Sequence, residues 1–250
     1  MKKLICFDVD GVLVNSELET LLVSWNEYNL WLQTLKLPFA DFTYDVKDIP
    51  FSWSLIRKRL MAVSNKVYHR VATNILQFMD IIPNSSSFEL VDEISSLDDV
   101  KKQETINRVQ QIRDKLFSSS VYPSLLSRFD SVDYEIIQDL HDKGMLYFVT
   151  NNKFSIKAFE SIAFKPSKAS IFIPTDVEHN KSERLALFEH QVTPEKIMFI
   201  DDKVNSLLNV FNGCNIPKKN LIHNEWATTT SSHGFKTVSF ETIINDFNNL

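Results

Sequence analysis

The chain predicts an α/β fold, a parallel sheet flanked by helices, interrupted by a long all-helical insertion. Three observations carry this reading. Short apolar runs end abruptly in polar residues, helical periodicity separates those runs, and the middle of the chain, 16–133, has helical periodicity alone.

The first run, Leu4-Ile5-Cys6-Phe7, is apolar at every position, as expected of a strand buried on both faces. It stops at Asp8-Val9-Asp10-Gly11. Residues two apart in a strand share a face, so Asp8 and Asp10 are expected to leave the strand tip on one side. Two carboxylates that close raise each other's pKa unless a cation or hydrogen-bond donors neutralise them. Holding a divalent metal with oxygen ligands would justify that cost, and a solvated Asp-Gly turn is the blander reading of the same residues. Gly11, one of only 4 glycines, fits a sharp turn close to a ligand.

From Glu17 to Leu35, Leu21, Leu22, Trp25, Leu32 and Leu35 recur at helical spacing, and Ser16 with Glu19 resembles a capping box at the start. Further helical stretches run over 52–80 and 101–117, with turns at Pro83–Ser87 and from Ser118 to Pro123. The pattern then changes. Tyr134–His141 reads as a helix closed by Lys143-Gly144, and Met145–Val149 as a buried strand. Phe154–Ile162 and Ser182–His190 read as helices, Ile171–Ile173 and Lys196–Ile200 as strands. Strands alternating with helices imply parallel βαβ units, in which ligands bind beyond the carboxyl ends of the strands.

Bulk properties exclude several classes. A formal net charge of -5 argues against a general nucleic-acid binder, which carries a basic surface. Cys6 and Cys214 fit neither a disulfide scaffold nor a zinc site, and Cys6 reads as a small buried hydrophobe. No run approaches the roughly 20 apolar residues of a membrane span. The apolar stretch after Met1-Lys2-Lys3 is too short for a signal peptide, so a reducing, cytoplasmic setting is expected.

Three more segments stand at strand or helix ends. Thr150-Asn151-Asn152 places a hydroxyl and backbone N–H groups where an anion can bind, although an N-cap uses the same residues. Lys181 precedes a helix; a solvated lysine is the plain alternative. Asp201-Asp202 closes a second apolar strand, and because adjacent strand side chains diverge, only one of the two need point at a site.

In order, DVDGVLV (8–14), VTNN (149–152), Lys181 and FIDD (199–202) resemble the motifs of the haloacid dehalogenase superfamily. The resemblance covers 3–15 and about 134–211, and implies a Rossmann-like core with its site at the strand tips. It implies a Mg²⁺-dependent phosphohydrolase working through an aspartyl-phosphate. Asp8 would be nucleophile and metal ligand, and Asp10 general acid–base with its backbone carbonyl also on the metal. Thr150, Asn151 and Lys181 would hold phosphoryl oxygens. Asp202 would bind the metal, with Asp201 behind it or as an alternate ligand. An acid at Asp10 favours phosphate ester chemistry, because the dehalogenating and phosphonate-cleaving members lack one there. Asn15, Ser182 and Ser206 depart from the usual Asp, Pro and Asp or Asn.

The resemblance assigns 1–15 and 134–250 to the catalytic core and 16–133 to a helical cap. The segment between Thr150 and Lys181 is too short for the other cap type. Within the cap, Trp25, Trp31 and Trp53 read as core, and Arg57-Lys58-Arg59 as a solvated face; His179 is given no role. The implied substrate is a small phosphorylated compound or a phosphorylated side chain, with neither nucleic acid nor membrane as partner. A phosphomutase and a non-catalytic binding protein on the same scaffold are the competing readings.

Overall fold

The structure, a computed structural model, describes residues 2–34, 36, 38–51, 99–151, 155–167, 170–172, 181–226 and 234–250. The expected helix over 52–80, the turn at Pro83–Ser87, Leu35, Trp53, Arg57-Lys58-Arg59, Asn152, His179 and the side chain of Trp31 lie outside them. In chain order the regular elements are β1 (Leu4–Phe7), β2 (Val14–Asn15), α1 (Glu17–Thr34), α2 (Asp99–Phe117) and β3 (Ser127–Arg128). Then follow α3 (Tyr134–Asp142), β4 (Leu146–Val149), α4 (Ser155–Ser161), β5 (Ile171–Phe172) and α5 (Lys181–Glu189). The last are β6 (Ile197–Asp201), α6 (Val204–Gly213), β7 (Leu221–Asn224), β8 (Lys236–Val238) and α7 (Phe240–Asn248).

These elements fall into two compact units, one of Met1–Ser16 with Leu126–Leu250, the other of Glu17–Leu125. In the first unit six strands form one sheet in the order β5-β4-β1-β6-β7-β8, every pairing parallel. β1 lies inside the sheet because all four of its side chains are apolar and fully buried. Leu4 and Cys6 face a cluster with Leu185 and Phe188 of α5 and Val204, Leu207 and Val210 of α6. Phe7 points the other way, its ring centroid 6.5 Å from Phe240 of α7. On that face Phe148 of β4 packs 4.7 Å from Phe159 of α4. Helices therefore cover both faces, which is why β1, β4 and β6 read as continuous apolar runs.

Several boundaries move, and the reasons are local. α3 begins at Tyr134 because Asp133 accepts from the N–H groups of Glu135 and Ile136, and it stops at Gly144, whose φ is +65°. Lys196 belongs to a short 3-10 turn, so β6 starts at Ile197 and takes in Asp201. The sequence reading missed α6, β7, β8 and α7. α6 is signalled by Val204, Leu207, Leu208 and Phe211 at helical spacing, and α7 by Ser239, which accepts from the N–H of Thr242. β8 has exposed or half-buried side chains at the sheet edge, and no apolar run marks it.

In the second unit α1 packs against α2. Leu21, Leu22 and Leu32 are buried as expected and Trp25 is half-buried, but polar residues are buried on the helix too. They are matched one by one. Both Glu19 oxygens accept from Arg113, at 3.0 and 3.3 Å, and Glu27 accepts from Arg108 Nε at 2.9 Å. Asn26 exchanges hydrogen bonds with the backbone of Thr43, and Asn29 accepts from the N–H of Ala40. Glu19 is thus engaged by α2, where the sequence suggested a capping box. Burial pushes Glu27 up to about 7 against the pull of Arg108. No helix among the described residues is long and apolar enough to cross a membrane.

Candidate active site at the strand tips

β1 and β6 are neighbours in the sheet, with Phe7 opposite Ile200, so the residues that follow each strand emerge together. Asp8, whose N–H still donates to Ile200 O at 2.9 Å, is 2 % exposed. Asp201 and Asp202 are 0 % and 7 % exposed, and one carboxylate oxygen from each of the three acids lies within 4.8 Å of the others. The cluster therefore takes in both acids of the pair. Asp201 ends β6 and Asp202 is already in the bend beyond it, so the alternation of a strand no longer separates them.

The chain after Asp8 also leaves the extended form. Leu13 and Val14 both donate to Val9 O at 2.9 Å, coiling the segment into a turn. Asp10 therefore sits in that turn, half-buried, and the two-residue strand rule that paired it with Asp8 does not apply. Gly11 makes the turn with φ +80°. A Cβ at Gly11 would collide with the Asp202 carboxylate, standing 2.6 Å from its Cγ, so the loop approaches the acid more closely than any side chain allows. From β7 and just beyond it, Asn224 Nδ2 donates to Gly11 O at 3.1 Å and Trp226 Nε1 to Val12 O at 2.9 Å. The sequence reading named neither. An Asn and a Trp closing a short apolar run are the signal that was available.

Lys181, first residue of α5 and 4 % exposed, reaches Asp8 at 2.8 Å and Asp201 at 2.6 Å. Burial works against its ammonium, but Asp201 and Asp8 outweigh burial and hold its pKa above the ordinary lysine value. Burial likewise raises Asp201 against the pull of Lys181. Burial pushes Asp202 up to about 8; Lys203 opposes, while Asp201 and Asp8 reinforce. Lys203 Nζ stands 3.9 Å from Asp202, and its backbone N–H donates to Asp201 at 2.8 Å.

Thr150, at the carboxyl end of β4, is 1 % exposed, and Asn151 follows it at the surface. Arg184, absent from the sequence reading, joins this turn to α5: Nη1 donates to Thr150 O at 2.7 Å and Nη2 to Asn151 Oδ1 at 3.0 Å. It lies three residues after Lys181, on the same side of the helix. Two of the departures noted in the sequence have local accounts. Ser182 faces Gly213 of α6, where a Cβ would stand 2.7 Å from Ser182 Oγ, so the serine sits at a close crossing of helices. Asn15 pairs with Ser127 in the small antiparallel β2–β3 ribbon.

Three oxygen-donor acids packed around one lysine, two of them driven toward the neutral form, are short of positive charge. A hard divalent cation with oxygen ligands supplies it, so the donor set fits Mg²⁺ at Asp8, Asp202 and Asp201.

Fold and site together define an α/β protein with an acid-rich centre at the tips of a parallel sheet. The chain has the haloacid dehalogenase-like fold. It is similar over 98% of its length to a haloacid dehalogenase-like hydrolase from Streptococcus pneumoniae, with a TM-score of 0.56 at 15% identity and 98% of that chain covered. It is also similar to a predicted phosphoglycolate phosphatase from Haemophilus somnus (TM-score 0.53, 16% identity, 98% and 97% covered). A third similar structure is CbbY of Rhodobacter sphaeroides bound to xylulose-(1,5)bisphosphate (TM-score 0.51, 18% identity, 96% and 95% covered). No protein-family model matches the chain, and no curated protein matches it.

Proposed function

We propose that this protein is a Mg²⁺-dependent phosphatase of the haloacid dehalogenase superfamily, acting on a small phosphorylated compound. The observation that supports it best is the buried cluster of Asp8, Asp201 and Asp202 with Lys181 paired to Asp8. A scaffold without chemistry gains nothing from burying three acids around one lysine.

Asp8 attacks phosphorus, and the new Oδ–P bond forms as the bond from phosphorus to the leaving oxygen breaks. Asp10 gives its proton to that oxygen, then takes one from a water that attacks the aspartyl-phosphate. This second step frees phosphate and restores Asp8. Lys181, Thr150 and Asn151 hold the phosphoryl oxygens, the lysine by charge and the others by hydrogen bonds. Asp8, Asp202 and the backbone carbonyl of Asp10 would hold Mg²⁺, with Asp201 beside them; bound there, the ion neutralises charge shared by nucleophile and phosphate. Residues 1–15 and 134–250 are the catalytic core in this reading, and 16–133 a cap that selects substrate.

The test is turnover of a panel of phosphate esters by the purified protein with Mg²⁺ and with EDTA. Cleavage that appears with Mg²⁺ and vanishes in chelator is expected. Undiminished cleavage in EDTA would sink the metal assignment, and a panel left intact under both conditions the enzyme itself.

A further inference from the structure

We infer that Arg184 is a positioning residue for the anion-binding turn after β4, an inference that rests on the phosphatase reading. Arg184 is 7 % exposed, and its guanidinium grips the turn at two consecutive residues, through the carbonyl of Thr150 and the side chain of Asn151. A planar fork with fixed donors suits this task better than lysine, because two acceptors held in one plane set the direction of the turn. Arg184 and Lys181 share one face of α5, so the helix carries the cation of the anion site and the brace of the opposite turn as one rigid piece. The result is that Thr150, Asn151 and Lys181 keep their spacing even though 150 and 181 belong to different elements.

Arg184→Gln removes the fork, and Arg184→Lys keeps charge while losing the paired geometry. Both are expected to raise KM and the inhibition constant for inorganic phosphate together, with kcat/KM falling by about 10²-fold for the glutamine variant. The Mg²⁺ concentration for half-activation stays at the wild-type value. KM and the inhibition constant do not depend on how much of the preparation is folded, so a purely structural role would lower the apparent kcat and leave both unchanged. Asn151 is exposed, and Asn151→Ala therefore guards against loss of folding. If Arg184 acts through the turn, Asn151→Ala weakens phosphate binding and adds nothing on top of Arg184→Gln. Calorimetric titration with inorganic phosphate and Mg²⁺ gives the same comparison without turnover. Variants that bind phosphate as the wild type does overturn the inference alone. A wild type that neither cleaves esters nor binds phosphate overturns the inference and the phosphatase reading together.

Discussion

In the unit of Glu17–Leu125, Glu19 and Glu27 each meet a guanidinium of their own at hydrogen-bond distance. At the strand tips Asp8 and Asp201 share Lys181, and Asp202 has Lys203 at 3.9 Å, a lysine whose side chain is 37% exposed. Both arrangements bury carboxylates. The first balances each charge locally and serves packing, since a buried acid left alone is strongly destabilising. The second crowds three acids, two of which burial drives toward the neutral form, and on the proposed reading a bound cation would relieve that crowding. Charge balance therefore separates a structural ion pair from a site that awaits a ligand, where burial alone does not.

The contrast can be broken most severely at Asp8. On the proposed phosphatase reading, Asp8→Asn is expected to lower turnover by at least about 10⁴-fold, because it removes the nucleophile of that reading. Its metal-free thermal midpoint should equal or exceed the wild type's, since one of the crowded charges is gone. A clear fall in that midpoint would show that the cluster is structural after all. The opposite behaviour is expected in the other unit. Arg113→Ala leaves Glu19, 1 % exposed, without its guanidinium, and should cost about 3 kcal/mol in urea denaturation. An unchanged midpoint there would remove the distinction between the two regions.

The smallest effect is one of pH. Burial holds Glu27 at about 7 in the folded protein, against an ordinary value of 4.5. Below 4.5 both folded and unfolded states keep the proton, and above it the unfolded chain releases its proton first. Stability therefore drains away as pH climbs from 4.5 to about 7, and this group withdraws no more beyond that. Glu27→Gln should flatten this slope, gaining roughly 3 kcal/mol on the wild type across that window. Parallel pH profiles of denaturation for the two proteins would contradict it.

The sheet was legible because strands covered on both faces are apolar throughout, so β1, β4 and β6 announce themselves. Asp8, Thr150 and the acid pair were legible as interruptions of such runs, and Lys181 as a lysine just before a helix. What the sequence hid was coupling across distance. Arg184 looks like any helical arginine until Thr150 and Asn151 are brought to it. Asn224 and Trp226 look like the end of a strand until they close on the Gly11 turn. That both acids of the pair reach the cluster was hidden as well, because Asp202 lies one residue beyond β6, where strand alternation ends.

The interior place of β1 has a consequence for how the protein is made. β1 precedes every other strand of its sheet in the chain, yet it must lie between β4 and β6, with Cys6 beside Tyr147 on one side and Phe199 on the other. Until those partners are synthesised, β1 has two open edges and Asp8 has no Lys181. Sheet closure and assembly of the acid cluster are then one late event, governed by contacts of long sequence separation and correspondingly slow. A nascent chain halted before β6 would hold the nucleophile and lack the site.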